Sequence, residues 1–182
     1  MTIDYAILGM LSWKPMTGYD MKRIIQESPI MYWSGNNNQI YKSLVELLEN
    51  GYVTNELLYQ ESAPNKKVYS ITESGMAILK EWMLTTEPEL PEIKKNFLIQ
   101  LSWASQLGIV EIKELVNQYK KIIEQQTAMR QEEKKRRKNF PNRSKQEQYI
   151  WEMLYDNIRM GYEAELQWIH QFLDGLERAG KE

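Results

Sequence analysis

The sequence predicts a mainly α chain in two parts, the first of which carries one β-hairpin. Three observations predict it. Apolar residues recur at three- and four-residue spacing over most of the chain. Period-two alternation is confined to residues 52–72. The stretch "TTEPELPE" separates short helical segments from long ones. The 182 residues are 42% hydrophobic with a net charge of −2, which suits a packed core and excludes wholesale disorder. Cysteine is absent, so disulfides and thiolate metal sites are excluded and a reducing cytoplasm is the expected location. No apolar run approaches the roughly 18 residues that a membrane span needs, so no membrane contact is expected. No basic residue precedes the apolar start, and no signal peptide is expected.

The elements follow in order. Residues 3–12 make a short helix with Ile3, Ile7, Met10 and Leu11 on one face, ended by Lys14-Pro15. In "TGYD", Thr17 and Asp20 form an acidic capping box for a second helix. Met21, Ile24 and Ile25 are its apolar side, and Ser28-Pro29 closes it. A third helix lies in "SGNNNQIYKSLVELLENGY", residues 34–52, with Ser34 as N-cap and Asn50-Gly51 as stop. At about 100° per residue, Ile40, Leu44, Leu47 and Leu48 share an inner arc. Asn38, Gln39 and Lys42 fall opposite, with Tyr41 on the flank. Val53, Leu57 and Tyr59 alternate in one strand, and Tyr69 and Ile71 in another, around the turn composition "ESAPNK". Thr72 caps a fourth helix with Leu79, Trp82 and Met83 inward. Three helices, a hairpin and a helix are the order of a winged helix-turn-helix. There the third helix enters the DNA major groove and the two-stranded hairpin is the wing. This domain is expected to span residues 1–85.

The second domain is expected over 92–182. A helix at 92–107 has Phe97, Leu101 and Ala104 on one side and Ile99 and Trp103 on the other. A long helix from 109 to about 138 carries a seam of Ile112, Leu115, Tyr119, Ile122, Gln126 and Met129. "NFPNR" breaks it. A last helix over 145–178 places Trp151, Tyr155, Ile158, Tyr162, Ile169, Phe172 and Leu176 in line, with Glu165 interrupting. Two antiparallel helices with stripes this wide do not bury themselves on each other alone. The expectation is a C-terminal antiparallel helical dimerisation domain. Ile112, Leu115, Tyr119, Ile122, Ile158, Tyr162, Ile169 and Phe172 are its candidate homodimer contacts.

With these elements laid out, the chain resembles the PadR-like transcriptional regulators. "YAILGMLSWKPMTGYDMKRII" carries the leucine-rich start and the Gly18-Tyr19 pair. "NQIYKSLVELLENGYV" matches the recognition-helix pattern through Gln39, Ile40, Tyr41, Leu44, Leu48, Gly51 and Val53. "KKVYSITESG" matches the wing through Tyr69, Thr72, Glu73 and Gly75, and "EAELQWIHQFL" looks like the end of the domain shared with virulence-gene activators. The family usually has proline after the recognition-helix tyrosine, and this chain has Lys42. The resemblance implies a homodimer on an inverted-repeat operator of double-stranded DNA, repressing transcription until a small molecule relieves it.

Two readings fit the amide run. Asn36, Asn38 and Gln39 suit adenine in the major groove, and helix-start N–H groups suit phosphate. The bland reading is a capping and turn run, because asparagine competes with the backbone for hydrogen bonds. The resemblance makes Tyr41 a phosphate donor, against a half-buried packing residue. Lys42 suits phosphate. Lys66 and Lys67 suit backbone or minor-groove contact from the wing, against a solvated turn. Residues 1–85 hold seven basic residues against nine acidic ones, which counts against DNA and for a rival: a winged-helix protein-interaction module without DNA binding. The run "KKRRK", residues 134–138, reads as a solvated helix end. Phe97, Trp103 and Trp151 are candidate walls for a small aromatic or apolar effector, against plain dimer packing. His170 is the only histidine, and no phosphate-binding or dinucleotide fingerprint is present. No catalytic residue, metal or cofactor is expected, and an enzyme is excluded.

Overall fold

The computed structural model describes every residue except 1, 32–37, 60–64, 91–94, 137–142 and 180–182. The chain divides into two compact units, Met1–Glu89 and Leu90–Glu182.

The first unit contains α1 (Thr2–Leu11), β1 (Met16–Thr17), α2 (Gly18–Glu27), α3 (Asn38–Glu49), β2 (Val53–Leu58), β3 (Lys66–Ile71) and α4 (Glu73–Thr85). Its core joins Ile3, Ile7 and Leu8 of α1, Met21 and Ile25 of α2, and Ile40, Leu44 and Leu47 of α3. The capping box forms as the spacing predicts. The Asp20 N–H donates to Thr17 Oγ1 at 3.1 Å, and the Thr17 N–H donates back to the Asp20 carboxylate at 3.4 Å. At the far end of α3, Gly51 adopts φ +70°, which glycine reaches without strain. The Gly51 N–H bonds to Leu48 O at 3.0 Å and the Tyr52 N–H to Leu47 O at 2.9 Å, the bond pair of a Schellman end. The expected N-cap Ser34 lies outside the described residues.

The hairpin forms, with Val53 opposite Ile71 and Leu58 opposite Lys66. A third strand is present that the sequence does not announce. β1 pairs on the other side of β3 through Met16–Tyr69 and Thr17–Val68, giving the order β1-β3-β2. Two residues are too few to show any alternation. Three expected inward residues are exposed. Val53 is buried, but Leu57, paired with Lys67 toward the far end of the hairpin, and Tyr59, past the end of β2, are exposed. On α4, Leu79 is buried and Trp82 stacks on Tyr5 at 4.6 Å, whereas Met83 faces solvent.

The second unit contains α5 (Asn96–Ser102), a 3-10 turn (Ala104–Gln106), α6 (Ile109–Arg136) and α7 (Lys145–Ala179). The helix expected to run unbroken to 107 stops at Ser102. Trp103 turns out of helical backbone at φ −105°, ψ 8°, so that Ala104 is buried while Trp103 remains 72% exposed. The core centres on Val116, Ile123 and Ile169, with Phe97, Leu101, Tyr162 and Leu166 packed on it. Phe97 stacks on Tyr119 at 3.8 Å and meets Trp168 edge-on at 6.4 Å. The expected seam on α6 is displaced. Ile112, Val116, Tyr119 and Ile123 point inward, and Ile122 and Met129 are exposed. Among the described residues, no helix is long and apolar enough to cross a membrane.

Candidate nucleic-acid interface

Asn38 and Gln39 open the described part of α3, and both are exposed. Lys42 follows one turn on, exposed, 3.8 Å from Glu46. Such a surface pair holds its lysine weakly. The opposite face is fully committed to the core through Ile40, Leu44 and Leu47. The outward arc is therefore free for a partner because the inward arc is pinned. Asn36 lies outside the described residues.

Tyr41 packs on one side and is open to solvent on the other. Its ring edge lies over the start of α2, where a Cβ on Gly18 would come within 2.8 Å of it. Gly18 thus lets the two helices of the helix-turn-helix approach. Tyr41 remains about half exposed. It also lies near Tyr69, whose hydroxyl is pushed above its ordinary pKa first by burial and then by Tyr41.

Lys66 and Lys67 are exposed at the start of β3, opposite Leu58 and Leu57. Successive strand residues point to opposite faces, so the two ammonium groups leave the wing on opposite sides. The turn between the strands lies outside the described residues. Tyr19, in the first turn of α2, is 65% exposed. Its signal in the sequence is the Gly18-Tyr19 pair. Arg23, one turn on, lies 3.7 Å from Asp20. Most of the "KKRRK" run is outside the described side chains, and its Lys135 pairs with Glu132 at 2.8 Å.

In the second unit the candidate effector residues are not one wall. Phe97 is part of the core, Trp103 stands on the turn after α5, and Trp151 is half-buried on α7. A cleft of about 290 Å³ lies elsewhere, between α6 and α7, and none of the three lines it. Glu165, which seemed to interrupt a seam, is a member of that cleft. Tyr119 donates to it at 2.9 Å, and Lys95 pairs with it. A lone carboxylate in an apolar line was the signal for this cluster.

The candidate dimer residues also separate. Ile169 is wholly buried within its own chain, so it is not available to a partner. Ile112, Tyr119, Tyr162 and Phe172 pack on the same internal cluster, because α5 supplies the third layer that two helices lacked. Leu115 and Ile158 are half-buried, and Ile122 is 55% exposed. Among the described residues, no group of three or more His, Asp or Glu side chains is placed to hold a metal.

Comparison with known proteins places this geometry. Residues 7–81 match the model of the transcriptional regulator PadR-like family, and residues 93–177 that of the virulence activator alpha C-terminal domain. A curated relative, the negative transcriptional regulator PadR of Bacillus subtilis (strain 168), is 31% identical over 113 residues, which span 62% of each chain. The crystal structure of Bacillus subtilis PadR in complex with operator DNA superposes with a TM-score of 0.83 at 22% identity, over 97% of this chain and 99% of that one. The same Bacillus protein in complex with p-coumaric acid gives a TM-score of 0.77 at 21% identity, with the same coverage.

Proposed function

The chain belongs to the PadR-like family of transcriptional regulators, and from that premise we propose that it is a dimeric repressor, released from its operator by a small aromatic or apolar effector. The first unit carries the DNA-binding role and the second the dimer contacts and the effector response. One observation carries the reading: α3 buries one face completely and presents Asn38, Gln39 and Lys42 on the other, at the position where a recognition helix meets base edges. Support comes from the shared fold of the Bacillus protein seen on operator DNA. The structure of that protein with p-coumaric acid supports a small-molecule response. The dimer reading draws on the exposed apolar residues of α6 and α7, including Ile122, Met129, Ile150, Met153 and Met160.

The mechanism is a matter of spacing. Two recognition helices on one duplex face need a separation of about 34 Å, one helical turn, or a multiple of it. A ligand that binds better to a dimer of different spacing shifts the population away from the DNA-competent form. The test is selection of bound fragments from a random DNA pool with the full chain. The expected result is an enriched inverted repeat. No enrichment of any sequence over the input would overturn the reading in favour of the protein-interaction module.

A further inference from the structure

The cleft between α6 and α7 has a definite chemistry. Ile123 and Ile158 are apolar walls, Tyr119 and Tyr162 add ring surface, and Glu165 is the acidic group. Lys95, just before α5, closes one side by pairing with Glu165. The two ions are unequally held. The Glu165 side chain is 12% exposed and Lys95 is 41% exposed. Glu165 is therefore fixed in the cleft, whereas the Lys95 ammonium can swing into water at the small cost of breaking a rim ion pair.

That asymmetry decides which ligand charge the cleft accepts. An anion would meet a carboxylate it cannot displace, and Lys95, the one lysine lining the cleft among the described residues, is already engaged with that carboxylate. A neutral molecule would gain only the walls. A cation can take the lysine's place, so that Glu165 never loses its counter-charge. We propose that this cleft binds a primary arylalkyl ammonium, whose NH3+ replaces that of Lys95 on Glu165 while its ring lies against Ile123 and Ile158. About 290 Å³ is at the small end for ligand sites, which suits a single ring. The Tyr119 hydroxyl, its pKa pushed up to about 12 by burial and then by its bond to Glu165, stays protonated and continues to donate to that carboxylate. Gly161 is the one lining residue without a side chain, and a Cβ there would meet nothing within 4 Å. The space above it belongs to the ligand.

Binding to the cleft stands independently of DNA, and only its regulatory consequence rests on the repressor reading. The experiment is calorimetric titration of the full chain, without DNA, with phenethylammonium, 2-phenylethanol and phenylacetate. Phenethylammonium is expected to bind at least about tenfold more tightly than either of the others. Glu165→Gln keeps the shape and the Tyr119 bond but removes the charge, and should weaken the amine by about tenfold or more. Gly161→Leu, whose Cβ would meet nothing within 4 Å, places a side chain in the cleft and should abolish binding. Lys95→Met removes the competitor and should tighten it several-fold. Circular dichroism checks that each variant folds. No binding by the wild type, equal binding of phenylacetate, or an unchanged affinity in Glu165→Gln overturns the proposal. So does weaker binding in Lys95→Met, which would make Lys95 part of the ligand's site. Failure here leaves operator selection untouched, and failure of that selection leaves the titration untouched.

Discussion

The first unit gathers apolar residues from α1 to α4 and from its sheet around Leu44 and Met21, which are wholly buried. In the second, among the described residues, Val116, Ile123, Tyr155 and Ile169 of α6 and α7 reach that depth or nearly so, and Ile122, Ile150, Met153 and Met160 face outward. The difference follows from shape. Short helices crossing a small sheet enclose a volume, so their inner faces find cover from several directions. Two long helices and one short one form a layer, and a layer leaves its outer stripe to solvent or to another molecule. The lesson is a division of labour. The first unit closes its core and leaves the polar face of α3 in solvent, while the second leaves apolar residues of α6 and α7 in solvent.

The largest expected effect comes from removing residues 145–182. Without α7, Val116 and Ile123 lose their covering helix. Sedimentation should then show a monomer or an insoluble chain, and a soluble, well-folded dimer would break the comparison. Next come two truncations that set the units against each other. Leu44→Ala opens a cavity in a closed core and should cost about 2–5 kcal/mol in denaturant unfolding. Ile122→Ala should scarcely change the fold of one chain but weaken association by about 1–2 kcal/mol, seen on dilution. Equal effects of the two on folding would erase the contrast.

A smaller effect tests the freed face of α3. Asn38→Ala or Gln39→Ala should cost about 1–3 kcal/mol on the selected operator and much less on scrambled DNA, at one fixed salt concentration. Lys42→Ala should weaken both nearly alike. If neither amide variant prefers to lose the operator, the amides serve only the helix start. The smallest effect is at the wing. Changing Lys66 and Lys67 together to Ala should weaken all DNA about equally and lower the salt slope by roughly one per lost phosphate contact. Because the two lysines leave opposite sides of β3, a change nearer one than two is expected. An unaltered slope would detach the wing from the phosphates.

Much of this architecture was legible in the sequence where its cause is local. The Thr17–Asp20 box, the Gly51 stop and the Thr72 cap each depend on atoms within about five residues, so residue type and spacing determine them. The inner and outer arcs of α3 are equally local, because helix geometry alone separates Leu44 from Lys42. The tertiary structure decided the rest. α6 offers two neighbouring stripes, one through Val116 and Ile123 and one through Leu115 and Ile122, and its own sequence favours neither. Phe97 stacking on Tyr119 and the approach of Ile169 from α7 settle which turns inward. The same holds for β1, which exists only because β3 offers it an edge. Glu165 reads as a flaw in a seam until Tyr119 and Lys95, 46 and 70 residues away, come to meet it. Contacts across such separations leave no pattern within a window of one helix, because they depend on where the chain returns.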